Sequence, residues 1–132
     1  MPGAVGRLNA GIRVADVGTG SGHAVNVMAK AFPASEFIGY DIAEDALGVG
    51  RAEAADWGLP NADFRLHDAA QLDDVGTFDM VTTFDAVHDQ VDPVAMVDGV
   101  FAMLKPGGYW LCVDIRASSD VGENLDHPMG AF

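Results

Sequence analysis

Apolar and polar positions follow two spacings along this chain: short apolar runs of strand length, and longer stretches with helical periodicity between them. Ile12 to Val17 is the first apolar run and predicts a strand. A helical pattern over Gly22 to Ala31 stops before Phe32-Pro33. Glu36 to Asp41 predicts a second strand, and Ala43 to Trp57 a long helix with Gly58 as its stop signal. Gly48 and Gly50 weaken the middle of that helix. Ala62 to His67 is a third, more polar strand, expected near a sheet edge, and Ala69 to Leu72 a short helical turn. Phe78 to Phe84, rich in β-branched and aromatic residues, predicts a fourth strand. Asp92-Pro93 supplies an N-cap and a first-turn proline for a helix running to about Leu104. Lys105-Pro106-Gly107-Gly108 is a sharp break, and Tyr109 to Ile115 a fifth strand.

Strands separated by helices imply right-handed crossovers and an α/β fold: a doubly wound, mostly parallel sheet with helices on both faces. The runs Ile12 to Val17 and Tyr109 to Ile115 are expected to be buried on both sides. Residues 12–115 form one domain in this reading. Residues 1–11 are small, glycine-containing and expected to be loosely held, and residues 116–132 form a polar tail without periodicity. An apolar fifth strand near an open edge needs a cover, which predicts self-association as a homodimer.

Charge narrows the partners. Twenty acids against seven bases give −13, which argues against a nucleic-acid partner, because phosphates require a basic face. The same charge suits a cationic small molecule, and equally a solubilising acidic surface. No apolar run is long enough to span a membrane, and the first residues lack a secretory pattern. The single cysteine, Cys112, excludes an internal disulfide and suits a cytoplasmic location. Its apolar neighbours predict a buried, inert thiol.

The segment Val14 to His23 carries the most chemistry. Gly18, Gly20 and Gly22 fall at alternate positions between a strand and a helix, preceded by Asp16. Bare backbone there lets a ligand lie against the turn. A dinucleotide fingerprint places its third glycine one position later, where this chain has His23; that spacing disfavours a nicotinamide-dependent oxidoreductase. Acids recur at strand ends: Asp16, Asp41, Asp68 and Asp85. Each alone could be a helix N-cap. Gathered in one crevice, they would repel a pyrophosphate and attract a cation. Asp41 closes the second strand 21 positions after Gly20, where an acid accepts hydrogen bonds from ribose hydroxyls. The next residue, Ile42, packs either against an adenine face or in the core.

These motifs together resemble class I S-adenosylmethionine-dependent methyltransferases, of the bacterial small-molecule type. The glycine turn with Asp16, the second strand ending in Asp41, His67-Asp68-Ala69-Ala70, the Phe78 to Ala86 segment and the Leu104 to Gly108 turn occur in the family's order. The resemblance implies a Rossmann-like fold and S-adenosylmethionine as cofactor. It implies contacts from Asp16, Gly18, Gly20, Gly22, Asp41, Ile42, Ala69, Phe84 and Asp85, with Asp68 at the adenine amino group. The family normally adds a helix and an antiparallel strand pair after the fifth strand; this chain is expected to lack them. The activity implied is methyl transfer to a small-molecule acceptor. The alternative is a non-catalytic S-adenosylmethionine-binding or scaffold module. His88 is the candidate general base, oriented by Asp85 or Asp89; a histidine bonded to its own loop backbone is the other reading. No metal is expected, and Ser21, Ser118, Ser119 and Cys112 lack the setting of a covalent nucleophile.

Overall fold

In a computed structural model, residues 3–68, 75–84 and 92–113 are described. Nine elements follow in chain order: α1 (Ala4–Ala10), β1 (Arg13–Val17), α2 (His23–Ala31), β2 (Glu36–Asp41), α3 (Glu44–Asp56), β3 (Ala62–Leu66), β4 (Phe78–Phe84), α4 (Pro93–Met103) and β5 (Leu104–Val113). The strands form one parallel sheet in the order β3-β2-β1-β4-β5. The chain winds outward from β1 through β2 to β3, then crosses back to β4 and β5. The crossing leaves a switch point between the carboxyl ends of β1 and β4, where open α/β sheets bind ligands.

Strand alternation sends successive side chains to opposite faces. Val14, Phe37, Phe64 and Met80 pack under Leu8 of α1, Val25 and Ala29 of α2, and Leu47 and Ala54 of α3. Ala15, Val17, Ile38, Tyr40 and Val81 pack instead against Met96, Val100 and Met103 of α4. Helices therefore cover both faces, as the alternating pattern predicts, and the polar third strand lies at an edge. Asp92 caps α4, its carboxylate accepting the amide of Ala95 at 3.0 Å.

Three expectations change. Residues 4–10 form a helix rather than a loose lead-in, and Leu8 is buried in the core. Lys105 to Gly108 does not separate α4 from the fifth strand; it lies inside β5, where the register with β4 shifts between Phe78 and Met80. Leu104 pairs with Phe78 and Tyr109 with Met80, so four residues bulge out against one, with Gly107 at φ 79°. And β5 is not buried on both sides. Its outer edge leaves Tyr109 to Leu111 half-buried, and Cys112 is exposed rather than a core thiol.

Among the described residues, no helix is long and apolar enough to cross a membrane. The short turn expected at Ala69 to Leu72, the end of the fifth strand at Ile115 and the tail 116–132 lie outside the described residues.

Candidate functional site at the glycine turn

The bend between β1 and α2 needs its three glycines for backbone reasons. Gly18, Gly20 and Gly22 have φ of 73°, 60° and 72°, a region that costs other residues strain. The bend folds back on β2. The amides of Gly18 and Thr19 both donate to the carbonyl of Tyr40, at 2.8 and 2.9 Å, and the amide of Gly20 donates to Asp41 Oδ2 at 2.8 Å. The glycines then differ. A Cβ on Gly22 would fall 2.1 Å from Phe64 Cε1, whereas one on Gly20 would meet nothing within 4 Å. Gly22 is a packing requirement; Gly20 presents bare backbone to open space.

Beneath the bend lies a buried polar cluster. Asp16 stands in register between Gly39 on β2 and Thr82 on β4, and only 2% of it is exposed. Thr82 donates its hydroxyl to Asp16 Oδ1 at 2.8 Å, and Thr19 donates to Oδ2 at 2.7 Å. Burial pushes the Asp16 carboxyl up to about 6; the two hydroxyl bonds oppose that rise, and the nearby charge of Asp41 adds to it. Thr19 fits because β2 has no side chain at Gly39, where a Cβ would lie 2.8 Å from Thr19 Cγ2.

Asp41 ends β2 at the mouth of this bend. Its Oδ1 accepts the amide of Ala43 at 2.9 Å while Oδ2 holds Gly20. Each carboxylate oxygen offers two lone pairs, so each can accept one further hydrogen bond. At the carboxyl ends of β2, β3 and β4, the apolar side chains of Ile42, Leu66 and Phe84 are exposed, Ile42 by 71%, and Leu66 stands in register with Asp41. Exposed apolar groups beside convergent polar ones are the usual lining of a small-molecule site. Asp68 follows β3 and is exposed.

Of the residues singled out from sequence, the structure brings Gly18, Gly20, Asp41 and Ile42 to one place. It sets Asp16 and Gly22 behind them, as support. Ala69, Asp85 and His88 lie outside the described residues. Sequence reading missed Gly39, Gly50, Thr19 and Thr82. Gly50, which looked like a weak point of its helix, lets α3 close on the bend: a Cβ there would lie 2.7 Å from the carbonyl oxygen of Ser21. Asn26 of α2 then donates to the Gly50 carbonyl and to Glu53, each at 3.0 Å. His23, exposed on α2, meets the same Glu53 at 3.0 Å; these two contacts hold the Glu53 carboxyl below its ordinary range.

A parallel sheet of this strand order, with a three-glycine bend anchored to an acid at the end of β2, defines a Rossmann-like α/β class. The sequence model of a family described as a methyltransferase domain matches residues 8–129, and the chain belongs to that family, the class I S-adenosylmethionine-dependent methyltransferase domains. It is 36% identical over 108 residues to the ubiquinone biosynthesis O-methyltransferase of Ruegeria pomeroyi, covering 81% of this chain and 42% of that protein. Among solved structures, the YcgJ protein of Bacillus subtilis superposes with a TM-score of 0.74 at 32% identity, over 89% of this chain and 50% of that one. The cyclase SpnF superposes with a TM-score of 0.73 at 26% identity, over 76% of this chain and 38% of that one. The chain spans about two fifths of the length of the curated relatives it matches.

Proposed function

We propose that this chain binds S-adenosylmethionine at the glycine turn and takes part in methyl transfer to a small-molecule acceptor. The observation that carries the reading is the joint geometry of Gly20 and Asp41: open backbone on one side, and on the other a carboxylate with acceptor capacity left on both oxygens. Two acceptors side by side match the two hydroxyls of a ribose. Ile42 and Leu66 offer apolar contact for an adenine ring, with Asp68 for its amino group, and the family resemblance assigns further cofactor contacts to Ala69, Phe84 and Asp85. The formal charge of −13 favours a cation over a pyrophosphate.

When bound, S-adenosylmethionine supplies a methyl group already activated on a sulfonium. The chain's own task is then to hold two reactants in line and to exclude water. The relatives named for O-methyl transfer make an oxygen nucleophile the first choice of acceptor. A hydroxyl that arrives protonated would need a base, and His88 is the candidate for it.

A second reading is a module that binds the cofactor without turnover. It is favoured by the likeness to a protein named as a cyclase. Incubation with S-adenosylmethionine and a panel of small hydroxylated acceptors separates the two. Release of S-adenosylhomocysteine that depends on an acceptor supports transfer; binding without release supports the module. His88→Ala would slow an oxygen acceptor of high pKa most. We extend the reading to a cytoplasmic homodimer joined along the edge strand β5; a monodisperse monomer in light scattering would remove that part.

A further inference from the structure

Buried hydroxyls are costly unless bonded, and β4 carries two of them in succession, Thr82 and Thr83, both fully buried. They face opposite sides of the sheet. Thr83 accepts a hydrogen bond from the indole of Trp110 on β5 at 3.1 Å, a contact within the sheet's far half. Thr82 points the other way and reaches Asp16 at 2.8 Å. It also lies 3.4 Å from the carbonyl of Ala15, but a hydroxyl has one proton, and the shorter, charge-assisted bond claims it.

The consequence runs along a chain of single contacts. Asp16 Oδ1 is held from β4 by Thr82, and its Oδ2 holds Thr19. Thr19 sits in the bend between Gly18 and Gly20, whose amides close onto Tyr40 and Asp41. The carboxylate is thus gripped from both sides. Releasing one grip lets it rotate and loosens the other. Valine would fill the space of Thr82 on a strand equally well, so shape does not account for the hydroxyl.

We propose that Thr82 is a positioning residue for the cofactor site: it fixes the Asp16 carboxylate, which in turn fixes Thr19 and the Gly18–Gly20 bend. The part concerning ligand affinity rests on the cofactor reading above; the part concerning the bend does not.

The experiment compares Thr82→Val, Thr82→Ser and Thr83→Val in the full chain. Three readouts are taken: thermal midpoint, amide hydrogen exchange in the ligand-free protein, and calorimetric titration with S-adenosylhomocysteine. Thr83→Val removes a hydroxyl of equal burial from the same strand and serves as the structural control. Thr82→Val is expected to speed exchange at Gly18, Thr19 and Gly20 by about tenfold beyond the change at core amides, the effect of losing one charge-assisted bond. It is expected to weaken S-adenosylhomocysteine by a similar factor. Thr82→Ser restores both, and Thr83→Val lowers the midpoint without moving either. Should exchange in the bend change only in step with global stability, equally in both valine variants, the positioning role is overturned. Absence of S-adenosylhomocysteine binding by the unaltered chain would remove the cofactor reading, and the exchange comparison would still decide the role of Thr82.

Discussion

Gly20 and Asp41 are joined by a 2.8 Å hydrogen bond from backbone amide to carboxylate, which ties the bend after β1 to the end of β2. The same carboxylate is therefore both the anchor of the turn and the acceptor proposed for the ribose. Asp41→Asn keeps one acceptor oxygen and places an amide where the other stood. We expect the affinity for S-adenosylhomocysteine to fall about 10- to 100-fold in calorimetry, with Asp41→Ala at least as severe. A variant that binds as tightly as the parent would show that the sugar is held elsewhere.

The glycines of the bend should separate under mutation. Gly22→Ala combines a positive φ with a Cβ 2.1 Å from Phe64 Cε1, so backbone strain and overpacking add, to about 3 kcal/mol of lost stability. Gly20→Ala has strain but no clash and should cost about 1 kcal/mol. Its methyl would protrude into the open side of the bend, so ligand affinity should fall far more than stability. Denaturant unfolding and titration, run on both variants, check the ordering.

Asp16 makes stability depend on pH in a defined direction. Its carboxyl titrates at about 6 in the fold, above the ordinary 3.8. A raised carboxyl favours the folded state while protonated, so its contribution is full below pH 3.8 and is lost as pH rises to about 6. The span corresponds to roughly 3 kcal/mol, to order of magnitude. Asp16→Asn removes that charge, and its amide can still meet Thr19 and Thr82. We expect the variant to be more stable than the parent by about 1–2 kcal/mol at pH 7.5, with the advantage gone at pH 4. Melting curves at the two pH values test this; an advantage that persists at pH 4 would show that the buried charge is not its source.

Much of this architecture was legible in the chain. The bounds of β2 and β4 match the predicted ones, because both strands are internal and most of their residues are apolar, aromatic or β-branched. The β5 segment has the same composition but lies at the edge, so its apolar run did not translate into burial, and Cys112 emerged exposed. α1 was missed because seven residues with a single buried anchor, Leu8, and no side-chain cap leave no periodicity to read. At the site, Asp41 and the three glycines announced themselves by spacing. Gly39, Gly50 and Thr82 could not, since each matters only through what another segment brings against it: Thr19, the Ser21 carbonyl and Asp16.

The most direct test of the account is a paired titration of the unaltered chain with S-adenosylhomocysteine and with NADH. The geometry of Gly20 and Asp41, set in an acidic chain, predicts saturable one-to-one binding of S-adenosylhomocysteine and none of NADH. Saturable NADH binding with no response to S-adenosylhomocysteine would contradict it.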